Sequence, residues 1–351
     1  MADKVLMKGN EALAEAAIQA GCRHFFGYPI TPQTELAAYM SKRMPKLGGT
    51  YLQAESEIAA INMVLGASAA GKRTMTSSSS PGISLKGEGI SYMAGSDLPA
   101  LIINVQRGGP GLGGIQPSQA DYWQATKALG HGDFQILVLA PSTVQEMVDL
   151  VSDAFDLADQ YRMPAMILAD GMLGQMMEPV VLPEAGDKKM IDKPWAACGH
   201  QGERKKNIVN SLYLTPNALE DLIKERYKRY ETIKAKEQRA EEYLTDDADL
   251  IIVAYGASSR VAKGAVNKAR EMGLKVGLVR PITLWPFPTD ALKKAAKQAK
   301  ELLVVEMSMG QMVDDVKLAV ECSVPVSFLG HTGGIIPTPR EVLAEIQKIL
   351  G

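Results

Sequence analysis

Three short segments of this chain carry side chains able to act on a carboxylate or carbonyl. YPITP (28–32) sets the hydroxyl of Thr31 between two prolines. ESEIAA (55–60) puts the carboxylate of Glu57 at the head of an apolar run, and QRGGPGLGGIQPSQAD (106–121) puts the guanidinium of Arg107 beside a glycine loop. A hydroxyl and a guanidinium together can grip a small carboxylate or carbonyl. A semi-buried acid can manage a proton. Each residue also has a plain structural account: Thr31 as a helix N-cap, Glu57 as a first-turn acid suited to the helix dipole, Arg107 as a strand-end charge. All three lie at or just after the ends of strand-like runs, where open α/β sheets place their ligands.

The elements that must position them alternate. Asn10 can cap a helix EALAEAAIQA that stops at Gly21, and HFFGYPI reads as the next strand. Thr31–Pro32 reads as an N-cap with proline at the first helical position, opening TPQTELAAYMSKRM. TYLQA is a short strand and SEIAAINMVLGASAAG a helix rich in small residues. RTMTSSS, ALIINVQ, FQILVLA and PAMILAD are β-rich runs bounded by Pro, Gly or Ser. Ser142 with Gln145 reads as a capping box before VQEMVDLVSDAFDLADQY. Continuous apolar strands separated by helices imply a parallel sheet covered on both faces. Residues 186–247 are dense in charge, with Glu220–Lys224 and Glu225–Arg229 spaced to pair on a helix. Leu219, Leu222, Ile223, Tyr230 and Ile233 could line one face of it, so it is a solvated connection or a helix laid on this protein or a second copy. From 248 the alternation resumes, and Thr338–Pro339 with Glu341 caps the last helix. The expected class is α/β, with two doubly wound domains (1–185 and a smaller 248–351) joined by a charged helical connection (186–247).

Composition removes several functions. The chain has 351 residues, 46% of them hydrophobic and 22% charged, and a net charge of -2. Such a balance has no basic field for nucleic acid. No apolar run approaches a membrane span, and the charged start MADKVLMKGNEAL lacks a secretory pattern. Cys22, Cys198 and Cys322 are too scattered for a CxxC site, which suits a reducing cytoplasm and means that this chain alone cannot hold an iron–sulfur cluster. The GxGxxG at Gly109, Gly111 and Gly114 is followed by Ile-Gln-Pro, so a helix can hardly begin before Ser118 and a dinucleotide site is disfavoured. No GxxxxGK[ST] or GxSxG is present, and His24, His131, His200 and His331 are isolated. The run SSSSPG (77–82) reads as a strand-to-helix corner. GHTGGIIPTP (330–339) reads as a plain turn or as a contact loop for a partner or coenzyme A.

These segments, in this order, resemble the subunit of 2-oxoacid:ferredoxin oxidoreductases that carries the pyrimidine-binding domain for thiamine diphosphate. GYPITP is the most specific piece, ESEIAAINMVLGASAAG the second and RGGPGLGGIQPSQAD the third. The resemblance covers nearly the whole chain and implies a thiamine-type domain, a helical connection and a transketolase-C-terminal-like, Rossmann-like domain. It places the family's catalytic acid on Glu57, which hydrogen-bonds the pyrimidine N1′ and favours the imino tautomer that takes the thiazolium C2 proton. A carboxyl heading a helix of Ile, Ala, Met and Val loses water, which favours its protonated form and lets it share a proton. Glu55 competes by proximity, but its spacing to GASAAG does not match. Thr31 and Arg107 fall on the residues that hold the 2-oxoacid, and Tyr28 and Pro29 lie along the cofactor. Pro29 and Pro32 would fix the corner at little entropic cost.

The resemblance also says what this chain lacks. The GDG…N segment that holds the diphosphate through Mg²⁺ is absent, so a second thiamine subunit is expected to supply it. Iron–sulfur clusters are expected on partners, in a ferredoxin-like subunit that passes electrons to ferredoxin, and a gamma subunit is a further expected partner. The implied reaction is oxidative decarboxylation of a 2-oxoacid with coenzyme A, giving acyl-coenzyme A, carbon dioxide and reduced ferredoxin, by a hetro-oligomer of which this chain alone is inactive. The glycine-rich loop looks most like branched-chain, 2-oxoisovalerate members. A 2-oxoglutarate or pyruvate member is the alternative, as is a non-oxidative thiamine decarboxylase subunit. A 2-oxoglutarate site would want a second cation, for which Lys86 and Arg73 are the candidates.

Overall fold

The computed structural model of the chain describes residues 4–127, 129–183 and 190–351. Its first part opens with β1 (Val5–Lys8), α1 (Gly9–Gln19), β2 (His24–Gly27), α2 (Thr34–Arg43), β3 (Thr50–Gln53) and α3 (Glu57–Ala69). Next come β4 (Thr74–Ser78), α4 (Pro81–Gly95), β5 (Leu101–Gln106), α5 (Tyr122–Thr126) and β6 (Leu137–Leu139). The part closes with α6 (Val144–Tyr161), β7 (Ala165–Asp170), α7 (Gly171–Gln175) and β8 (Met177–Val180). A long helix, α8 (Pro216–Lys236), leads to β9 (Ala240–Tyr243), β10 (Leu250–Val253), α9 (Gly256–Glu271), β11 (Val276–Pro281) and β12 (Thr283–Trp285). The chain ends with α10 (Thr289–Ala296), β13 (Glu301–Glu306), α11 (Met312–Ala319), β14 (Val326–Gly330) and α12 (Pro339–Leu350).

The apolar runs form the sheets expected of them. Every residue of β4, β5 and β7 is buried, as strands covered on both faces must be. The seven-stranded sheet has the order β12-β6-β7-β5-β4-β2-β3, with all neighbours parallel except β12. Helices α1 and α6 pack together, and α3 packs on α4. The strand order turns back at β2, so β2, β3 and β4 enclose the switch point at which such sheets bind ligands. The five-stranded sheet, β14-β13-β10-β11-β9, is parallel apart from its edge strand β9. It is wound on both sides, by α9 with α12 and by α10 with α11.

The 185–186 boundary lies outside the described residues. The 247–248 boundary is crossed in both directions. β9 comes from the connection yet pairs with β11, and β12 comes from the second part yet pairs with β6 of the first. Sequence pattern hides β12 because it is only three residues, TLW, set among prolines. The charged helix α8 lies on its own chain. Tyr230 and Ile233 are buried, the Tyr230 ring meets Trp285 edge-on, and Arg226 and Arg229 both bind Asp97. Arg229 is therefore not paired with Glu225, which takes Lys228 instead, while Glu220–Lys224 pairs as spaced.

Three helix starts differ from the sequence reading: at the first two a distant partner wins, and at the third the neighbouring residue does the capping. Asn10 lies inside α1 and donates to the Pro32 carbonyl at 2.7 Å and to Glu35 at 3.0 Å. That leaves the Pro32 carbonyl engaged, and Leu36 N–H donates to Gln33 instead, so α2 begins at Thr34 and Thr31 is not its cap. Thr143 rather than Ser142 caps α6, accepting from Glu146 N–H at 3.0 Å, while the Glu146 carboxylate returns to Ser142 N–H at 2.7 Å. Among the described residues no helix is long and apolar enough to cross a membrane.

Candidate active site

Four neighbouring strands, β5-β4-β2-β3, deliver the candidate residues to one edge of the sheet. Arg107 directly follows β5, the serine corner ends β4, the YPITP turn follows β2, and Glu57 heads α3 just after β3. All four strands are parallel, so these are all carboxyl ends.

The YPITP turn is held from beneath. Gln33 is fully buried; its N–H donates to the Ile30 carbonyl at 3.2 Å, its side-chain amide donates to Tyr28 O, and its side-chain oxygen accepts from Ser77 Oγ at 2.6 Å. This leaves Tyr28, Pro29 and Thr31 exposed. Arg107, only 6% exposed, donates from its two terminal nitrogens to Thr31 O at 2.9 Å and to Leu112 O at 3.1 Å. Arg107 and Thr31 are thus joined, through the threonine backbone. The Arg107 Nε is buried with no partner among the described residues.

The glycine loop curls back onto itself. Gly108 N–H donates to Gln116 O, Gly114 N–H donates to Gly108 O, and Arg107 bridges Pro117. No helix opens on it: α5 begins at Tyr122 and has five residues, so no helix N-terminus faces the loop as a dinucleotide fingerprint requires. Gly334 of the GHTGG segment packs on Gln116 of this loop, which makes that segment an internal contact between the two parts of the chain. His331 meets Glu341 at 3.2 Å.

Glu57 is 6% exposed and sits at the first position of α3, whose cap Ser56 accepts from Ala59 N–H at 3.2 Å. Its side chain turns inward to the serine corner. A Cβ added at Gly82 would lie 2.1 Å from Ser78 Oγ and 2.8 Å from Glu57 Oε1, so only glycine permits this approach. No group among the described residues hydrogen-bonds the Glu57 carboxylate, and none joins it directly to Thr31 or Arg107. The corner links them instead: Ser78 is beside Glu57, and two residues on, the Ser80 hydroxyl accepts from Arg107 N–H at 3.0 Å.

Several site residues escaped the sequence reading. Ser80 adopts a φ of +26°, a conformation costing a non-glycine residue about 1–3 kcal/mol. It is held there by Asn104 Oδ1, which accepts its N–H at 3.1 Å, and by Asp121, which accepts its hydroxyl at 2.6 Å. Burial pushes the Asp121 carboxyl up, against the hydrogen bonds from Ser80 and Asn104 and the charge of Arg107. The second cations considered from sequence separate cleanly. Arg73 is consumed by Asp156 and Asp159 at 2.6 and 2.9 Å. Lys86 is fully buried on α4, and burial pushes its ammonium down from 10.5 to about 8, with Glu57 acting in the opposite direction. The signal for Lys86 was its setting among Gly82, Gly87 and Gly89, which lets neighbouring elements close over it.

Exposed apolar side chains border the site: Tyr28, Ile58, Leu112 at 82% and Ile115 at 57%. Clefts of about 430 Å³ beside Trp285 and about 530 Å³ beside Arg280 are lined by none of Thr31, Glu57 and Arg107. The site has an exposed apolar margin around largely buried charged groups.

Comparison with known proteins gives a consistent result. Residues 15–244 match the thiamine diphosphate-binding family of pyruvate flavodoxin/ferredoxin oxidoreductases, and residues 248–342 match pyruvate:ferredoxin oxidoreductase core domain II. The chain is 50% identical to the ketoisovalerate oxidoreductase subunit VorB of Methanothermobacter marburgensis, over 99% of this chain and 98% of that one. It is 37% identical to the 2-oxoglutarate synthase subunit KorA of the same organism, covering 100% of both. A solved 2-oxoglutarate:ferredoxin oxidoreductase from Magnetococcus marinus, with 2-oxoglutarate, coenzyme A and succinyl-CoA bound, superposes with a TM-score of 0.89 at 27% identity. That match covers 100% of this chain and 66% of that one.

Proposed function

Because the chain belongs to the 2-oxoacid:ferredoxin oxidoreductases, as a thiamine diphosphate-binding subunit, we propose that it supplies the pyrimidine half of a shared site oxidising a branched-chain 2-oxoacid, 2-oxoisovalerate, to its acyl-coenzyme A. The greater identity to the ketoisovalerate subunit than to the 2-oxoglutarate subunit supports that substrate. So does the fate of the two candidate cations: Arg73 is tied into ion pairs, and Lys86 is fully buried, so neither presents its charge at the surface for a distal carboxylate.

The residues present fit half of the cofactor. A carboxylate with no hydrogen bond from the described residues, beside the unpartnered Ser78 hydroxyl, suits a ring nitrogen that shares a proton with it. Thiamine diphosphate, when bound, supplies the electron sink that lets a 2-oxoacid lose carbon dioxide. In this reading Glu57 holds a proton at the pyrimidine N1′ and orients the ring. Arg107, tied to the Thr31 backbone, supplies the positive charge for the substrate carboxylate, in a site where desolvation strengthens the charge. Thr31, held against Arg107 through its backbone, presents its hydroxyl to the same substrate, and Tyr28 and Pro29 shape the apolar wall.

The exposed apolar margin supports completion by a second thiamine subunit that brings Mg²⁺ and the diphosphate grip. Iron–sulfur electron carriers belong on a ferredoxin-like partner subunit that passes electrons to ferredoxin, with a gamma subunit as a further partner. The three described cysteines are free and dispersed, in keeping with a cytoplasmic enzyme. The single observation that carries the proposal is the buried Glu57, with no hydrogen bond from the described residues, on a face shared with Arg107 and Thr31. Its test is Glu57→Gln in the reconstituted enzyme with 2-oxoisovalerate, coenzyme A and ferredoxin. Assembly should persist while turnover falls by about 10²–10⁴-fold, and near-normal turnover removes Glu57 from the chemistry.

A further inference from the structure

Behind Glu57 lies a charge that the proposed chemistry leaves unused. Lys86 is 0% exposed, and its Nζ has no hydrogen-bond partner among the described residues. It stands one turn along α4 from Gly82, which touches Glu57, and three residues before Gly89, which touches Ile61; a Cβ at Gly89 would lie 2.5 Å from Ile61 Cγ2. Glu57 and Ile61 are one turn apart on α3, so Lys86 falls between the two contact points of the α3–α4 seam. β4 closes the third side, where the hydroxyls of Thr76 and Ser78, two residues apart and so on one face, are likewise buried without partners.

A lone ammonium in a dry helix seam is costly, and a neighbouring carboxylate is what makes it tolerable. The charged groups on the surrounding elements are few. α3 presents Glu57 to the seam. β4 carries no titratable group, and β2 has only His24, at its opposite end. On α4, Glu88 is bound to Tyr92. From β5 and its loop, Arg107 is engaged with Thr31 and Leu112, and Asp121 with Ser80 and Asn104.

Resting on the reading of Glu57 as the ring-binding acid, we propose that Lys86 is its positioning residue. The Lys86 ammonium, held in the α3–α4 seam, keeps the Glu57 carboxylate ionised and turned inward until a pyrimidine N1′ proton arrives to replace that support. Nearby positive charge favours the ionised acid, and removing it from a low-dielectric seam lets the carboxyl keep its own proton. A carboxyl already protonated cannot accept from the ring, so the lysine sets the pH range in which the site works.

The test uses the reconstituted complex without thiamine diphosphate, following the Glu57 carboxyl band by infrared titration as the difference between the parent and Glu57→Gln. Lys86→Met should raise its midpoint by one pH unit or more, a tenfold or greater rise in proton affinity, and move the acid limb of the kcat–pH profile upward by a similar interval. Lys86→Arg should restore both. Lys86→Gln serves the same comparison if Lys86→Met fails to assemble. An unmoved Glu57 midpoint in the uncharged variants overturns the proposal. The infrared reading stands apart from turnover, so it reports on Lys86 even if Glu57→Gln proves active and the functional reading fails.

Discussion

Two buried glutamates lie at helix heads on the carboxyl edges of the two sheets, and they are treated in opposite ways. Glu306 ends β13, is 0% exposed, and accepts from Gln311, Met312 and Val313 N–H groups and from Ser308 Oγ at 3.0–3.3 Å. Burial pushes its carboxyl up, and those donors push it back. Glu57 is nearly as buried, yet no described residue donates to it, and its charge acts on the buried, unpartnered Lys86. Glu306 is structural: it stitches the head of α11 to the sheet. Glu57 takes no hydrogen bond from the described residues, which is how a site looks when its donor comes from a ligand.

The contrast breaks most easily at Glu57. Glu57→Gln should lower turnover of the assembled enzyme by about 10²–10⁴-fold with little change in melting temperature. A stability loss with normal turnover would make it a second Glu306. Lys86→Met should have the next largest effect, and in the stabilising direction. A depression from 10.5 to about 8 corresponds to roughly 3 kcal/mol. The folded chain holds this proton less tightly than the unfolded chain. The penalty is therefore in full force below about pH 8 and fades as pH rises to 10.5. Urea denaturation of the full chain should accordingly show the variant more stable at pH 7, with the gain shrinking toward pH 10.5. A loss at pH 7 would mean that the ammonium is fully compensated.

Glu306→Gln should cost about 2 kcal/mol, since an amide cannot accept from the same ring of donors, while kcat per folded enzyme stays unchanged. A kcat loss without instability would give Glu306 a catalytic role. Smallest is Arg107→Ala, for which the apparent KM for the 2-oxoacid should rise roughly tenfold, the loss of one charge-assisted contact, with kcat less affected. If only stability falls, Arg107 serves the glycine loop alone.

The fold was legible because the strands are continuous apolar runs and the turns carry their own residue chemistry. The late start of α5 followed from Gly114-Ile-Gln-Pro. What was not legible depends on partners far away in sequence. Thr31 reads as a cap, but Asn10 takes the Pro32 carbonyl; the Ser142 difference is local instead, because its neighbour Thr143 does the capping. β12 is three residues whose strand identity comes from lying beside β6. At the candidate site, the motifs single out Thr31, Glu57 and Arg107, and the fold brings them to one edge of the sheet. Ser80, Asn104 and Asp121 are not singled out, because a hydrogen-bonded corner built from three segments has no local pattern. Lys86 was seen only as a cation, and its meaning comes from burial against α3.

The central claim is that this chain holds only the pyrimidine half of a shared site. Calorimetric titration of thiamine diphosphate with Mg²⁺ into the chain alone, and into the complex reconstituted with its partner subunits, tests it most directly. Stoichiometric binding by the complex and no measurable heat from the chain alone is the predicted result. Tight one-to-one binding by the chain alone would contradict the account.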